Sequence, residues 1–394
     1  MNVSVFIMAG GSGTRLAPLS LTKEGRLPKQ FQALVSEKTL LQEAIQRVPE
    51  EFSVSIIPET RYEHEILSQA EDVSRKIDCL SEPFGCNTAA AIILGCFYSL
   101  SKDDDPEKVL FFMPADHIMD DSVFREIFLK ATLTASDSGK IVTIGIEPTR
   151  PETGYGYIKT TGSSDILDVQ EFKEKPDLET AKEYLSLGYY YWNAGIFAFK
   201  IKTLLDAAKK DAPLIYEKLS SIKDDISLEN IERVYSEIKE AGENISIDFA
   251  VMEKEASNML LVPAPKELKW NDVGGWIALE EYLSPDENSN RTRGSAEFVD
   301  SENNTVFNYD GIKIKIDSVS DILIVSTKDG ILICPKESAP RAKEIIQGIE
   351  SGKKVELFDS DAVVENPGEI YIGVIDINDI SVKFDGNELV VGKK

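Results

Sequence analysis

The chain has 394 residues, 42% of them hydrophobic and 28% charged, which is typical of a folded globular protein longer than one usual domain. Its net charge of −25 argues against a nucleic acid or an anionic membrane as a partner. No run approaches the roughly 20 consecutive apolar residues that span a bilayer, and the opening residues predict a β-strand rather than a signal peptide. We therefore expect a cytoplasmic protein.

The first 145 residues alternate between predicted strands and predicted helices. The strands are predicted at 3–8, 54–57, 77–80, 109–113 and 141–146, and the helices at 39–48, 61–74, 88–100 and 123–136. Such alternation predicts an α/β fold with a mostly parallel, Rossmann-like sheet covered by helices. Ligands of these sheets bind beyond the carboxyl ends of the strands. The loops after Met8 and Met113 are therefore the first places to expect a site.

From about residue 150 the pattern becomes mixed, with strands predicted at 155–160, 169–173 and 195–200 and a helix at 178–187. A polar stretch after residue 283 predicts a linker. Beyond it the pattern favours strands at 305–309, 312–316, 322–326 and 331–334, a helix at about 337–349, and a strand-rich tail with a hairpin near Gly386. We expect a catalytic domain at 1–283 and a smaller β-rich domain at 295–394, made of a short β-coil without a visible repeat and of a tail that pairs with the preceding strands or with a second subunit.

The most specific motif is AGGSGTRLAPLS, which directly follows the first predicted strand. Its glycines, Gly10, Gly11 and Gly13, allow backbone N–H groups to approach phosphate oxygens. Arg15 adds a fork of donors that suits phosphate, and Lys29 of the following PKQF motif adds a second cation. A tight structural turn is the alternative interpretation of the glycines.

Further motifs carry polar side chains that suit a phosphate-transfer site. Asp116 follows a buried strand in MPADH, where a carboxylate can hold Mg²⁺, and Asp272 in WNDVGGW is a second candidate ligand. Lys175 in EKPD precedes a proline, so its backbone is expected to be extended. Asn193, beside a glycine in WNAG, suits a sugar hydroxyl, and His117 is expected to have a supporting role. Taken singly, each has an alternative interpretation as a surface charge, a cap or a turn.

Together these motifs resemble the sugar-1-phosphate nucleotidyltransferases. The shared landmarks are AGGSGTRL, PKQF, CNTAAA, PADH, PTRPETGYGYI, EKPD, WNAGIF, SIDFAVMEK and WNDVGGW, which cover roughly residues 3–283. PTRPETGYGYI and SIDFAVMEK are closer to the mannose-1-phosphate guanylyltransferase branch. The resemblance implies a nucleotide-sugar transferase domain followed by a small β-structure, and it implies the formation of GDP-mannose and pyrophosphate from GTP and mannose 1-phosphate with Mg²⁺.

The resemblance also implies roles for individual residues. Arg15, Lys29 and Asp116 would be catalytic, and Asp116 and Asp272 would ligate the metal. The nucleotide would contact Ala9, Gly10, Gly11, Gly13, Thr14, Asn87 and Thr88. The sugar phosphate would contact Gly154, Tyr155, Gly156, Glu174, Lys175 and Asn193.

Two alternatives remain open at this stage. Cys86 and Ala90 stand where the family usually has arginine and proline, so a related transferase that uses another base or sugar is one alternative. A non-catalytic regulatory subunit that senses nucleotide sugars is the other, although such a subunit could lose the metal carboxylates and the loop arginine, and this chain keeps them. A homodimer also stays open.

Overall fold

The computed structural model describes residues 2–11, 14–22, 25–162, 164–368 and 370–394. Its internal contacts divide the chain into two compact units. Unit 1 comprises the residues up to Gly10 together with Leu41–Asp272, and unit 2 comprises Gly11–Leu40 together with Val273–Lys394. The predicted domain limits at 283 and 295 stay a prediction, because compactness does not show which segment folds independently.

The strands and helices are numbered in chain order. The strands are β1 Val3–Met8, β2 Leu21–Thr22, β3 Gly25–Arg26, β4 Ser53–Ile57, β5 Asp78–Cys79, β6 Val109–Pro114, β7 Ile141–Ile146, β8 Tyr157–Thr161, β9 Leu167–Lys173, β10 Tyr190–Lys200, β11 Met259–Pro263, β12 Arg291–Arg293, β13 Glu297–Val299, β14 Thr305–Asn308, β15 Lys313–Asp317, β16 Ile322–Thr327, β17 Gly330–Pro335, β18 Val355–Phe358, β19 Val363–Glu365, β20 Tyr371–Ile375, β21 Ile380–Phe384 and β22 Glu388–Lys393. The α-helices are α1 Leu40–Arg47, α2 Glu63–Asp72, α3 Asn87–Asp103, α4 Asp121–Ser138, α5 Leu178–Leu187, α6 Ile201–Asp211, α7 Pro213–Ser220, α8 Leu228–Glu240, α9 Trp276–Glu280 and α10 Ile346–Glu350.

The sheet of unit 1 has the strand order β5-β4-β1-β6-β10-β7-β11-β9-β8. Its first four strands are mutually parallel, as predicted, and β10 then runs antiparallel to both β6 and β7. Since β1, β4 and β6 are parallel, their carboxyl ends meet at one edge. The backbone N–H groups of Ala9 and Ala115 close this edge by donating to the carbonyls of Ile57 and Met8, each at 3.0 Å.

Apolar residues explain why these segments form strands and a buried helix. The side chains of Val5, Phe6 and Ile7 in β1 are at most 1% exposed, which is typical of a central parallel strand covered on both faces. The predicted buried helix is α3, and residues 89–97 along it are buried. No helix in the described part of the chain has the length and hydropathy needed to cross a bilayer.

Unit 2 contains stacked β-strands. The strand orders are β12-β14-β16-β17-β20-β18 in one sheet and β13-β15-β22-β21-β19 in the other. The pairs β12–β14, β14–β16, β13–β15 and β15–β22 are parallel, whereas β16 and β17 form an antiparallel hairpin. This pattern is that of short β-coils, in which each coil contributes one strand to each sheet.

The tail belongs to the interior of these sheets. β20 lies between β17 and β18, and β22 lies between β15 and β21. The predicted hairpin is confirmed, because β21 and β22 are antiparallel with Phe384 opposite Leu389. Of the two predicted partners of the tail, the preceding strands are therefore the ones it pairs with.

Two local predictions were wrong. The polar stretch after residue 283 is not a plain linker, because β12 lies within it and pairs with β14. The helix expected at 337–349 is a 3-10 helix over Lys336–Ile345 followed by the short α10. Pro340 lies inside the 3-10 segment, and a proline cannot donate the backbone hydrogen bond of an α-helix.

Candidate active site

The glycine loop begins at the carboxyl edge of the sheet in unit 1. Gly10 follows β1, and a Cβ atom added to it would lie 3.6 Å from Oε2 of Glu82. Glu82 is 4% exposed, and its Oε1 accepts a hydrogen bond from the Tyr235 hydroxyl at 2.7 Å. Burial raises the pKa of Glu82 to about 7. The sequence analysis missed this carboxyl group, since its neighbours in the chain gave no chemical signal.

The two predicted metal ligands lie next to a pair of residues whose backbones are hydrogen-bonded to each other. Ile118 and Asn271 form an antiparallel bridge, in which each backbone N–H donates to the other carbonyl at 2.9 Å. Asp116 lies two residues before Ile118, and Asp272 directly follows Asn271. An antiparallel bridge continues toward these two residues, so it brings the Asp116 and Asp272 segments side by side.

Aromatic side chains support the same carboxylates. Tyr155 donates its hydroxyl to Oδ1 of Asp272 at 2.6 Å, and burial together with this carboxylate raises the pKa of Tyr155. The Trp270 indole packs against the Tyr155 ring with centroids 5.4 Å apart and donates to Nδ1 of His117 at 3.2 Å. The other ring nitrogen of His117 lies 3.8 Å from Oδ1 of Asp116. His117 therefore has the supporting position that the sequence analysis predicted for it.

The predicted sugar-binding residues converge in unit 1. A Cβ on Gly156 would lie 2.5 Å from Oε2 of Glu174 and 3.3 Å from Cβ of Asn193. No real side chain could occupy that position without a shift, so glycine is required for the close approach. The backbone N–H of Asn193 donates to the Gly156 carbonyl at 2.8 Å. In the preceding turn, the N–H of Gly154 donates to the Glu152 carboxylate at 2.9 Å.

Lys175 has a backbone that differs from the prediction. Its φ is +44°, so the expected extended conformation is wrong. A left-handed residue before a proline is strained, and such strain is concentrated at functional sites. The backbone N–H donates to the Tyr155 carbonyl at 3.2 Å, and the ammonium group pairs with Oε1 of Glu174 at 2.7 Å. Tertiary contacts thus hold Lys175 in place, with more than half of its side chain exposed.

The SIDFAVMEK motif supplies two contacts that the sequence analysis did not assign. Asp248 accepts a hydrogen bond from Nδ2 of Asn193 at 3.0 Å. Glu253 accepts one from the backbone N–H of Glu174 at 2.8 Å. These residues belong to or directly follow a π-helix, Asp248–Met252, a rare conformation that is frequent at functional sites. The motif itself was the available signal, but it did not show which of its side chains reach the site.

The start of α3 also differs from the prediction. The helix predicted at 88–100 begins one residue earlier, at Asn87, after Cys86 and without a side-chain cap. Asn87 has φ +60°, and its Oδ1 accepts only from the adjacent N–H of Thr88. The hydroxyl of Thr88 instead accepts the backbone N–H of Ile247 at 2.9 Å. Their predicted contact with the nucleotide stays a prediction.

The remaining predicted residues belong to unit 2. Thr14 and Arg15 lie in a short 3-10 helix, with Arg15 exposed. Lys29 donates its ammonium group to the carbonyl of Val273 at 3.1 Å, and Gln30 donates to the carbonyl of Gly11 at 3.1 Å. Gly13 lies outside the described residues. Their contacts with phosphate stay a prediction.

The donor set of Asp116 and Asp272 fits Mg²⁺. This ion prefers oxygen ligands and is usually held by one or two carboxylates together with substrate phosphates. Over the described ranges, no group of three or more His, Cys, Asp and Glu side chains forms a metal cage. Two carboxylates are a donor set that Mg²⁺ uses together with substrate phosphates, and their binding of Mg²⁺ in this chain stays a prediction.

The α/β sheet of unit 1, with Gly10 and the carboxylates at one edge, defines a protein with a nucleotidyltransferase fold. Residues 4–289 match the protein family described as nucleotidyl transferase, and the chain belongs to that family. A crystal structure of mannose-1-phosphate geranyltransferase from Thermus thermophilus is 32% identical, with a TM-score of 0.76, and the match covers 89% of this chain and 100% of that one.

Two relatives of known name extend the similarity. The alginate biosynthesis protein AlgA of Pseudomonas aeruginosa is 32% identical, over 98% of this chain and 79% of that protein. The mannose-1-phosphate guanylyltransferase of Escherichia coli is 33% identical, over 88% of this chain and 73% of that protein. These similarities confirm the predicted family and fold class.

Proposed function

We propose that the chain transfers GMP from GTP to mannose 1-phosphate and so produces GDP-mannose and pyrophosphate. The observation that carries this proposal is the convergence of Gly156, Glu174 and Asn193 beside the Lys175 ammonium group. Hydrogen-bonding groups next to an exposed cation suit a phosphorylated sugar. The relatives named for mannose-1-phosphate guanylyltransferase support the choice of mannose and of guanine.

The reaction brings two anions together. An oxygen of the sugar phosphate forms a bond to the α-phosphorus of GTP, and the bond from that phosphorus to the bridging oxygen breaks, so that pyrophosphate leaves with the electron pair. Lys175 would bind the sugar phosphate, while Arg15 and Lys29 would bind the triphosphate. These cations lower the repulsion and align the two groups for in-line displacement. No proton has to leave the attacking phosphate oxygen, so no general base is required.

Mg²⁺ is the proposed cofactor, and Asp116 and Asp272 are its proposed ligands. When bound, the ion would neutralise charge that develops on phosphate oxygens. The chain's own contribution is to hold the carboxylates: the bridge between Ile118 and Asn271 fixes their backbone, and the Tyr155 hydroxyl orients Asp272.

A cytoplasmic location is part of the proposal. The cysteines Cys79, Cys86, Cys96 and Cys334 are unpaired, which is typical of proteins in a reducing compartment. A homodimer stays an untested alternative, and a sizing column would decide it.

The test is a panel assay of pyrophosphate release. The purified chain would be incubated with Mg²⁺, each of four nucleoside triphosphates, and mannose 1-phosphate, glucose 1-phosphate or galactose 1-phosphate. The highest kcat/KM is expected for GTP with mannose 1-phosphate. A preference for another pair would identify a related transferase, and the absence of turnover with every pair would favour a regulatory subunit.

A further inference from the structure

The hydrogen bonds of Asn193 limit what it can offer to a sugar. Its Oδ1 accepts from the backbone N–H of Gly195 at 3.0 Å. The Thr143 hydroxyl lies 3.4 Å from the same oxygen but has one hydrogen, and its shorter hydrogen bond, at 3.1 Å, goes to the Ile196 carbonyl. An amide oxygen has two lone pairs, so the Gly195 N–H uses one of them. Its Nδ2 donates one hydrogen to Asp248. Asn193 therefore offers a ligand one N–H and at most one lone pair of Oδ1.

A sugar hydroxyl needs an acceptor for its hydrogen as well as a donor for its oxygen. On this part of unit 1 the acceptors are carboxylates. Oε2 of Glu174 faces the α-carbon of Gly156, while Oε1 is paired with Lys175. Asp248 is the second carboxylate, and it is close enough to Glu174 and Lys175 for their charges to act on it.

We propose that Asp248 is a specificity-determining residue of the sugar site, whose carboxyl group accepts a hydrogen bond from a ring hydroxyl of the sugar 1-phosphate. The proposal rests on the proposed function, because it assumes that a sugar phosphate binds beside Lys175. Asp248 would contact the ring of the sugar rather than its phosphate group.

The carboxyl group of Asp248 has the capacity for this contact. A carboxylate offers about four lone-pair positions, and three of them are used, by Nδ2 of Asn193, by the backbone N–H of Asp248 and by the Ser246 hydroxyl. The side chain is half-buried, so a ligand would shield the remaining position from water. Burial and the nearby Glu174 raise the pKa of Asp248 to about 7, and a hydroxyl donor would offset part of this desolvation.

The π-helix makes this position rigid. The carbonyl of Asp248 accepts the backbone N–H of Glu253 at 2.9 Å, and the Glu253 side chain accepts the N–H of Glu174. One short segment thus holds Asn193 through Asp248 and holds Glu174 through Glu253. The two acceptors of the site are therefore tied to the same backbone, which favours recognition of a fixed pattern of hydroxyls.

The variant Asp248→Asn distinguishes a residue that binds a sugar hydroxyl from a residue that only positions Asn193. Asparagine keeps the shape and can still accept from Asn193 through Oδ1, so a residue that only positions Asn193 would tolerate it. Loss of a hydrogen bond to a charged group is expected to raise KM for mannose 1-phosphate about 10- to 100-fold, with KM for GTP changed less than about twofold. Asp206→Asn, on the exposed face of α6, is the matched surface control and should behave as the wild type.

Substrate analogues identify the contact. Mannose 1-phosphates that carry deoxy or fluoro groups at positions 2, 3 and 4 would be compared in wild type and Asp248→Asn. At the ring position that Asp248 contacts, both analogues should have a lower kcat/KM than mannose 1-phosphate with the wild type, because neither a deoxy nor a fluoro group can donate a hydrogen bond. With Asp248→Asn, the same two analogues should lower kcat/KM little further. Such non-additivity shows that the residue and that hydroxyl interact.

The proposal would be wrong if the variant and the analogues lowered kcat/KM independently of each other at every ring position. It would also be wrong if folded Asp248→Asn kept the wild-type KM for mannose 1-phosphate. If Asp248→Asn were insoluble, Asp248→Ser would be judged by the same criteria. Wild-type protein that made no product from GTP and mannose 1-phosphate would instead contradict the proposed function. The two failures are therefore distinguishable.

Discussion

The pairing of Asp116 and Asp272 gives a direct prediction at the scale of single residues. Asp116→Asn and Asp272→Asn should each lower kcat by about two to four orders of magnitude, because an amide keeps the shape but lacks the charge that binds Mg²⁺. Asparagine at 272 can still accept from Tyr155, so the fold should persist. Turnover at varied Mg²⁺ measures the effect, and Asp137→Asn on exposed α4 is the control. Rates like the wild type in both variants would contradict the metal assignment.

Glu82 gives a prediction about pH. Its pKa in the folded protein is about 7, against an ordinary value of 4.5, so the folded state binds more protons between these values. The contribution of this extra proton binding to the stability of the folded state is fully present below about pH 4.5 and is lost as the pH rises through 7. The free energy of unfolding of the wild type, relative to Glu82→Gln, should therefore fall by on the order of 1–3 kcal/mol from pH 5 to pH 8.

Urea unfolding at both pH values measures this difference. Glutamine can still accept a hydrogen bond from the Tyr235 hydroxyl, so the comparison measures the effect of the Glu82 titration alone. Glu126→Gln, on the exposed face of α4, should show the same pH dependence as the wild type. If Glu82→Gln also did so, Glu82 would have to be ionised throughout this range.

Sequence patterns could predict some site residues because their motifs follow strands. Asp116 comes after a run of buried residues, and Asp272 lies in a motif that combines tryptophans with glycines, so both stood out as candidate metal ligands, and that role stays a prediction. Asp248 and Glu82 were missed for a physical reason. An aspartate near a helix start usually serves as a cap, and the burial of a glutamate depends on contacts such as Tyr235, which is 153 residues away.

At the scale of elements, apolar runs predicted the strands of the parallel sheet closely, since they are buried on both faces. No helix or strand was predicted between residues 201 and 283, although this segment contains α6, α7, α8, β11 and α9. The coils of unit 2 were also missed as a repeat. The N–H of Asp379 bonds to the Asp361 carboxylate and the Asn303 amide to the Asp321 carboxylate, each pair 18 residues apart, but so few copies with different side chains leave no visible period.

The position of β22 predicts how the tail stabilises unit 2. Val391 is fully buried in the core between the sheets, whereas the neighbouring Val390 points to the other face and is half-exposed. Val391→Ala should lower the free energy of unfolding by about 1–3 kcal/mol, and Val390→Ala should cost clearly less. Denaturant unfolding measures both. Equal losses would show that the tail is not packed as described.

The net charge gives a prediction for the whole molecule. At −25, the charges repel one another more strongly in the compact state than in the unfolded chain. Raising the ionic strength from about 0.01 M to about 0.15 M shortens the Debye length from roughly 30 Å to roughly 8 Å. The melting temperature should therefore rise by a few degrees. Calorimetry in NaCl and in KCl should agree, and a fall in both salts would show that ion pairs outweigh the repulsion.

The bridge between Ile118 and Asn271 also determines when the carboxylates of Asp116 and Asp272 can come together during synthesis of the chain. The side chains beside it, His117 and Trp270, are separated by 153 residues, and the partners Tyr155 and Asp272 by 117. Closing loops of this length costs entropy that only a nearly complete sheet offsets. A nascent chain can form its local helices early, but both carboxylates meet only after residue 272 has left the ribosome. Every shorter translation product therefore lacks the paired carboxylates, however well its first strands have folded.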